Sequence, residues 1–546
     1  MNSIKHNNDG IQLSRQIWPG LLVAMIIAVS LSGIMDHDLW TPDEPREAAI
    51  TLSMSQSGNM IIPELAGQPF VEKPPLFYIA ASFFLLGFGK IIGNTAALRL
   101  VSACFGLGTL LFTYLLGKIY FDRQKALVAA GILATMIGFV HVTHWLLVDN
   151  ALMFFITASV WALAKAYENN RFSCLPLAGI LAAGAFLAKG LIGPIIIGLA
   201  WLGIFIPWVN KIGRRGRDAA ALPLPRATRG LPESENYNGR TRVSGPAASL
   251  KSLHAIIGYH ALALIAFGLI SAIWIIAFAL KGGPELFREW WWTNHFGRFT
   301  GAAHDLGHIS PWYYYFSVLP VYLLPWIVPF IAAIILFLKK AWRGETISSG
   351  CLLFIFWSLG AFLLLSLSAT KRDIYLSALL PACALLCLYG PEKARGLARV
   401  TGASFQRLLI ITAGCYAVLL IIACPIIDRH KSYGPAFRSM ADAIRAHPEL
   451  KIAGWNLDET TVAGFYYYCG LVLPSISDQK MLDDILQGRN IRFNGALILE
   501  KNAVQNDLPD KGNQVIFESR MGKRRLLQLI AVEERQKTEG TAAQSD

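Results

Sequence analysis

The stretch AIIGYHALALIAFGLISAIWIIAFAL, residues 255–280, contains no Asp, Glu, Lys or Arg. A helix of this length can cross the hydrocarbon core of a bilayer, which is roughly 30 Å thick. Similar apolar runs recur along most of the 546-residue chain, which is 54% hydrophobic and only 16% charged. Soluble proteins have about 25% charged residues. The sequence therefore predicts a polytopic membrane protein.

Eleven apolar runs are each predicted to cross the membrane once. They are residues 17–35, 96–117, 127–146, 150–166, 174–188, 190–208, 255–280, 312–338, 350–368, 374–392 and 407–424. With a cytoplasmic N-terminus, every basic cluster then falls in an inner loop, as the positive-inside rule requires. A further apolar segment, 77–92, would invert this pattern if it crossed, so we interpret it as an interfacial or re-entrant helix. The expected fold is all-α, with about 11–13 transmembrane helices.

The net charge of +13 does not indicate nucleic-acid binding, because the Lys and Arg residues cluster in short loops between apolar runs. The eight cysteines have neither CxxC nor Cys/His metal spacing, and no disulfide framework can be argued from them. We therefore expect the lipid bilayer as a partner and no nucleic acid.

Hydropathy divides the chain into a membrane domain and a polar C-terminal part. The predicted boundaries are 1–424 for the membrane domain, with an outer catalytic loop at 36–95 and a flexible cytoplasmic loop at 209–254, then 425–534 for an outer α/β domain and 535–546 for a disordered tail. In the α/β domain KIAGWNL and GALILEK are typical of strands, and QKMLDDILQ is typical of a helix. The loop is rich in Gly, Pro, Arg and Ser, as flexible linkers are.

The first outer loop contains two charged motifs with prolines, TPDEPRE at Thr41–Glu47 and VEKPPL at Val71–Leu76. Prolines beside charged residues directly after a membrane helix indicate a rigid turn at the membrane surface. On this pattern alone, a functional site and an ordinary solvated loop are equally good interpretations.

Asp149 favours the functional interpretation. It lies in HVTHWLLVDNALMFF, with apolar residues closely flanking it on both sides, and an ionisable group at a membrane boundary is a functional-site hypothesis by default. The topology places Asp149 on the same face as Asp43. Two carboxylates from separate loops suit a general base, a metal site or a ligand for sugar hydroxyls.

Several cationic residues are predicted on the same outer face. They are Arg46, Lys73, Lys189, Arg298, Lys371 and Arg372. Charge-assisted contacts from such residues would stabilise a phosphate at the membrane surface, although any single one could be a helix-end residue that snorkels. The loop 285–315 is rich in Trp and Tyr, as interfacial belts are, and its His308 is a candidate metal ligand.

Six motifs together resemble the aminoarabinose-transferase and protein-mannosyltransferase-like superfamily. They are D-E-P-R-E, E-K-P-P-L, A-A-L-R-L-V-S-A, V-D-N-A-L-M-F-F, L-A-K-G and K-R-D-I-Y-L-S-A-L-L-P, in this order between about residues 15 and 392. The resemblance implies a membrane glycosyltransferase of the GT-C fold. It also implies a polyprenyl-monophosphate sugar donor, in bacteria usually undecaprenyl phosphate, and an active site at the outer face.

The resemblance implies residue roles as well. Asp43 and Asp149 match the catalytic acids of the superfamily. The residues implied to bind the phosphate of the sugar donor are Arg46, Lys73, Lys189, Lys371, Arg372 and Tyr375. Glu72 and His308 match residues that hold a metal in some relatives, so a divalent metal cofactor is left open.

We therefore expect an inverting glycosyltransferase in the bacterial inner membrane, with its active site and C-terminal domain on the periplasmic side. Its acceptor would be lipid A, another glycolipid or a protein, and 4-amino-4-deoxy-L-arabinose is one candidate sugar. The alternatives are a transporter or flippase of a lipid-linked sugar and a non-catalytic scaffold. A transporter predicts polar residues in mid-helix and repeated halves, and the sequence has neither clearly. A scaffold would not need paired acids and cations on one face.

Overall fold

A computed structural model describes residues 18–220, 246–302, 308–390, 403–501, 513–521 and 525–532. In the membrane part the helices are α1 (Trp18–Leu31), α2 (Asp43–Ser57), α3 (Leu76–Ile92), α4 (Asn94–Tyr120), α5 (Arg123–Ala134), α6 (Ile137–Thr143), α7 (Asp149–Glu168), α8 (Leu175–Lys189), α9 (Ile192–Ala220), α10 (Pro246–Arg288), α11 (Arg298–Thr300), α12 (Tyr314–Tyr322), α13 (Ile327–Trp342), α14 (Ser349–Leu367), α15 (Leu380–Leu386) and α16 (Ala403–Lys431). A π-helical segment, Glu289–Gly297, and a 3₁₀ segment, Asp373–Leu379, join neighbouring helices.

Within the described residues, seven helices are long and apolar enough to span a membrane, and the number is nine if each of two bent helix pairs counts as one span. Two shorter apolar segments, Trp18–Leu31 and Asp373–Tyr389, coincide with the remaining predicted crossings. The predicted all-α polytopic membrane fold is therefore confirmed. The segment interpreted as interfacial forms α3, whose apolar side chains Phe83, Leu86 and Ile91 are exposed.

Two predicted crossings are broken in the middle. The pair α5 and α6 bends by 67°, and the pair α12 and α13 bends by 118°. The second break contains Pro325, which cannot donate a backbone hydrogen bond within a helix. The two breaks face each other: the Ile137 amide donates to the Leu324 carbonyl at 3.0 Å, and the Trp326 indole donates to the Thr135 hydroxyl at 2.8 Å. Each break therefore satisfies polar groups that the other leaves unpaired inside the membrane.

The predicted first outer loop is largely ordered. After α1 it forms α2, a short antiparallel hairpin of β1 (Glu64–Leu65) and β2 (Gln68–Pro69), and then α3. Both ends of the predicted flexible loop 209–254 are helical in the structure, because α9 continues to Ala220 and α10 begins at Pro246. Residues 221–245 between them, like the predicted tail 535–546, lie outside the described residues.

The C-terminal part is a small α/β unit, as predicted. It contains α17 (Gly434–Ala446), β3 (Ile452–Trp455), α18 (Glu459–Cys469), β4 (Ser475–Ile476), α19 (Gln479–Leu486), β5 (Gly495–Lys501), β6 (Asn513–Met521) and β7 (Arg525–Val532). The sheet order is β4-β3-β5-β7-β6, with β3 parallel to β4 and β5 and the other pairs antiparallel. Helix α16 continues to Lys431, so the membrane part ends seven residues beyond the predicted boundary at 424.

Helix α18 attaches this unit to the outer loop. Its Thr460 hydroxyl donates to the Pro42 carbonyl at 3.2 Å, and its Tyr466 hydroxyl donates to Gln56 at 3.0 Å. The Tyr468 hydroxyl donates to Asp38 at 2.5 Å. These contacts place the C-terminal unit directly over the start of α2, where the charged motif lies.

Candidate active site at the outer membrane rim

A buried ion pair fixes the start of α2. Glu44 and Arg99 are both fully buried, with 2.8 Å between Arg99 Nη2 and Glu44 Oε2. The same carboxylate accepts hydrogen bonds from the Trp40 and Leu146 amides at 2.7 and 2.9 Å. Removing one partner of such a pair typically costs about 3–5 kcal/mol, because it leaves an uncompensated buried charge. Glu44 therefore anchors the loop and leaves Asp43 next to it facing the rim.

Asp43 is held by two arginines. Arg372, from the short loop after α14, binds both carboxylate oxygens of Asp43, with 2.7 Å between Nη1 and Oδ1. Arg46, one helical turn further along α2, donates to Oδ1 at 3.0 Å. Burial by itself would raise the pKa of Asp43, but the hydrogen bonds and charge of Arg372, with Arg46 and Lys73 contributing, outweigh it and lower this pKa. Asp43 is therefore an ionised carboxylate at neutral pH.

Glu47 connects this cluster to the second motif of the loop. Its Oε1 accepts from Lys73 at 2.6 Å and lies 3.5 Å from Arg46 Nη2. Sequence reasoning did not include Glu47 in the site. Its spacing offered a signal, because residues i, i+3 and i+4 share one helix face, which puts Asp43, Arg46 and Glu47 together on α2.

A second carboxylate–cation pair lies at the ends of α7 and α8. Asp149 is the first residue of α7, and it accepts from Lys189, the last residue of α8, at 2.5 Å. The Lys189 ammonium also lies 4.1 Å from the centre of the Tyr375 ring. An anion such as Asp149 is favourable at a helix N-terminus and a cation such as Lys189 at a C-terminus. The predicted residues Asp149, Lys189 and Tyr375 thus form one group.

Glu72 pairs with Arg298, with 2.5 Å between Oε1 and Nη1. Burial alone would raise the pKa of Glu72, but the positive charges of Lys73, Arg46 and Arg298 outweigh it and lower this pKa. Arg298 was noted as an outer-face cation in the sequence but was not included among the site residues. The π-helical segment that precedes Arg298 contacts the loop beside Glu72, since Asn294 donates to the Val71 carbonyl at 3.3 Å.

Several of these groups line a cavity of about 340 Å³. The polar residues that line it are Glu72, Lys73, Asp149, Lys189, Asn294, His295, Arg298, Ser368, Thr370 and Tyr375. The apolar residues that line it are Leu152, Leu191, Ile192, Ile195, Ile196, Phe296, Phe299, Leu364, Leu365 and Ala378. The cavity therefore combines charged groups that suit an anion with apolar side chains that suit a hydrocarbon chain.

Five predicted site residues do not line this cavity. Three of them, Asp43, Arg46 and Arg372, form an adjacent cluster that Glu47 and Lys73 join to it, and the other two are Lys371 and His308. The two predicted carboxylates, Asp43 and Asp149, thus belong to two separate ion-pair groups, and Lys73 of the first group and Lys189 of the second line the same cavity.

The predicted phosphate ligand Lys371 is engaged elsewhere. Its ammonium donates to the carbonyls of Ser310 and Ser368, and the residue is buried. Its role in this arrangement is to tie two outer loops together. The backbone supports this, because the Lys371 amide donates to the His308 carbonyl at 2.9 Å.

The predicted metal pair, Glu72 and His308, does not fit a divalent cation in this arrangement. Glu72 is neutralised by Arg298 and surrounded by further cations, while His308 is exposed. Among the residues that the structure describes, no group of three or more His, Cys, Asp or Glu side chains is placed to hold a metal. A metal stays a prediction.

Comparisons with known proteins agree with this picture. Residues 72–216 match the family model of the dolichyl-phosphate-mannose-protein mannosyltransferases. The chain is 26% identical over 421 residues to undecaprenyl phosphate-alpha-4-amino-4-deoxy-L-arabinose arabinosyl transferase 2 of Proteus mirabilis, covering 76% of this chain and 66% of that protein. It is 27% identical to the corresponding transferase of Edwardsiella ictaluri, covering 72% and 64%. The chain thus spans about two thirds of the length of the curated relatives it matches, and their names do not support the transporter alternative.

Solved structures show the same fold. ArnT from Cupriavidus metallidurans, in a crystal structure with undecaprenyl phosphate bound, superposes with a TM-score of 0.64 at 17% identity, covering 94% of this chain and 98% of that one. The apo form of an oligosaccharyltransferase from Archaeoglobus fulgidus superposes with a TM-score of 0.51 at 13% identity, covering 88% and 69%. The overall architecture is therefore that of GT-C membrane glycosyltransferases.

Proposed function

We propose that this chain, which is similar in sequence to aminoarabinose transferases and protein mannosyltransferases and has the GT-C fold, transfers a sugar from a polyprenyl phosphate carrier to an acceptor. In a bacterium the carrier would be undecaprenyl phosphate, in keeping with the names of the relatives. The reaction would take place at the periplasmic face of the inner membrane, where the positive-inside rule puts the charged rim.

The observation that carries this proposal is the mixed lining of the cavity. A polyprenyl phosphate has an apolar chain and an anionic head, and the cavity is lined by both apolar side chains and cations. Lys73, Lys189 and Arg298 are the cations that line it. A soluble sugar nucleotide would not need the apolar wall.

The carrier phosphate can leave the sugar without being protonated. The bond between the anomeric carbon and the phosphate oxygen breaks, and its electron pair goes to a phosphate that is already anionic. Cations fixed in advance around this oxygen stabilise the charge that develops there. Lys73 is placed for this role, because it lines the cavity and Glu47 fixes the position of its ammonium group.

Asp43 would act on the acceptor. If the acceptor is a hydroxyl, its oxygen attacks the anomeric carbon and its proton goes to the Asp43 carboxylate, which Arg372 keeps ionised. If the acceptor is a phosphate, it is already ionised, and Asp43 would instead orient it or bind the ammonium of an amino sugar. A single displacement inverts the anomeric carbon in either case.

The sugar and the acceptor are left open by the site. An aminoarabinose transferred to lipid A is one candidate, and another sugar transferred to a glycolipid or a protein is the other. Comparing the mass spectra of lipid A and of envelope glycans in cells with and without the gene would identify both. In cells without the gene, we expect lipid A or one of the glycans to lack the mass of one sugar residue.

A matched biochemical test uses the purified full-length protein in nanodiscs with undecaprenyl-phosphate sugars. We expect release of undecaprenyl phosphate that depends on an acceptor extract and is absent in Asp43→Asn. Transport of an intact donor across vesicles without release of the phosphate carrier would overturn the proposal.

A further inference from the structure

A second cavity of about 850 Å³ lies between α1, α4 and α5, away from the candidate active site. Its walls are almost entirely apolar, and the residues that line it are Pro19, Gly20, Val23, Ile26, Ile27, Leu107, Leu110, Leu111, Tyr114, Arg123, Gln124, Leu127 and Ala130. The polar side chains, Tyr114, Arg123 and Gln124, come from the adjoining ends of α4 and α5. The cavity therefore has a polar mouth and an apolar interior.

This cavity is separate from the charged rim. Arg99, which binds Glu44 at the rim, and Tyr114, at the mouth of the second cavity, lie on the same helix α4. Fifteen residues of α-helix span about 22 Å at 1.5 Å per residue. Along α1 the cavity extends from Pro19 to Ile27, which corresponds to a depth of roughly 12 Å. Such a depth accommodates part of an acyl chain.

The mouth is surrounded by cations. Arg123 lines it, the Lys118 ammonium lies 5.6 Å from the centre of the Tyr114 ring, and the Arg407 guanidinium lies 5.6 Å from the Trp18 ring beside Pro19. Asp122, an exposed acid at the same helix start, lies 3.9 Å from Lys125. Among the residues that the structure describes around the entrance, Arg123, Lys118 and Arg407 outnumber this acid, so the entrance has an excess of positive charge.

We propose that this cavity binds one anionic phospholipid, with an acyl chain between α1, α4 and α5 and the phosphate headgroup at Arg123, Lys118 and Arg407. Charge complementarity selects the anionic lipid over a zwitterionic one, because basic residues at a membrane surface attract anionic headgroups. The positive-inside rule places the mouth in the cytoplasmic leaflet. This site serves neither the sugar donor nor the acceptor of the proposed reaction, so its test is independent of that reaction.

The first test measures lipid retention by native mass spectrometry of the full-length protein exchanged into detergent with phosphatidylglycerol or phosphatidylethanolamine. We expect a one-to-one adduct with phosphatidylglycerol and little with phosphatidylethanolamine. Arg123→Gln should lower the phosphatidylglycerol-bound fraction about fivefold, because the attraction of one basic residue to an anionic headgroup changes the binding affinity by about this factor. The matched control is Arg343→Gln, which changes an exposed basic residue on a different loop.

The second test fills the cavity without changing its charge. A Cβ added at Gly20 would meet no atom within 4 Å, so Gly20→Leu should fold normally and occupy the mouth. Gly268→Leu is its control, because Gly268 on α10 is also surrounded by open space. We expect Gly20→Leu to lose the phosphatidylglycerol adduct and Gly268→Leu to keep it.

Three outcomes would overturn the proposal. The first is equal retention of the two phospholipids, the second is an adduct that survives Gly20→Leu, and the third is displacement of phosphatidylglycerol by undecaprenyl phosphate at equal concentration. The last result would assign the cavity to the sugar carrier instead.

Discussion

Arg46 of the first outer loop donates a hydrogen bond to Glu459 of the C-terminal unit, with 3.0 Å between Nη1 and Oε2. The same guanidinium binds Asp43 through Nη2. Glu459 of the separate α/β unit is thus linked through the Arg46 side chain to Asp43, the candidate catalytic base. We therefore expect a change in the C-terminal unit to affect the reaction through Arg46.

We expect Glu459→Gln to lower transfer roughly fivefold to tenfold, because contacting charged residues are coupled by about 1 kcal/mol. Glu459 is exposed, so the free energy of unfolding should change by less than about 1 kcal/mol. The measurement is kcat and KM in nanodiscs, with Glu449→Gln as the control in the same unit. Unchanged kinetics in Glu459→Gln would remove the C-terminal unit from the reaction.

Asp43→Asn should reduce transfer by at least about 10²-fold, the usual contribution of a general base. The variant should still insert in the membrane, because Glu44 and Arg99, and not Asp43, anchor the start of α2. Steady-state transfer and detergent-solubilised yield are measured together, with Asp122→Asn as the control on an inner loop. A well-folded Asp43→Asn that retains full transfer would exclude Asp43 as the base.

Arg372→Gln should change the pH dependence of transfer. Arg372 lowers the pKa of Asp43, and burial opposes it, so loss of the arginine should raise this pKa. The acidic limb of the profile of kcat/KM against pH should therefore move to higher pH. If kcat/KM instead falls by the same factor at every pH and the acidic limb stays in place, Arg372 does not control the protonation of Asp43.

Asp149 and Lys189 should behave as a coupled pair in stability. Asp149→Asn leaves the Lys189 ammonium, whose side chain is 14% exposed, without its partner, which should cost up to about 3–5 kcal/mol in the free energy of unfolding. The double variant Asp149→Asn, Lys189→Met should be less destabilised than the sum of the single variants. Thermal unfolding in detergent of all four proteins gives the coupling energy, and strictly additive effects would show that the two groups do not interact.

Local features of the sequence predicted most of the architecture. Apolar runs such as 255–280 are long enough to span a bilayer whatever surrounds them, and the polar C-terminal part has helix and strand periodicities that need no tertiary context. The breaks between α5 and α6 and between α12 and α13 were not predicted. The sequence shows Pro325, but the apolar run 312–338 has the length of one straight transmembrane helix. The bend in this run is stabilised by hydrogen bonds to the break between α5 and α6, and those contacts exist only in the tertiary structure.

For the site, the chain alone determined which ionisable residues lie at the membrane boundary, because burying a charge in lipid is costly at any position in the fold. It identified Asp149 in this way, whereas the roles of Asp43, Lys73 and Lys189 were implied by the motifs that resemble the superfamily. Their partners depended on distances between segments hundreds of residues apart, so only the tertiary structure decided that Arg372 binds Asp43, that Arg298 binds Glu72 and that Lys371 is held by loop carbonyls. Hydrogen bonds and ion pairs act over a few ångströms, and a linear pattern does not encode such separations.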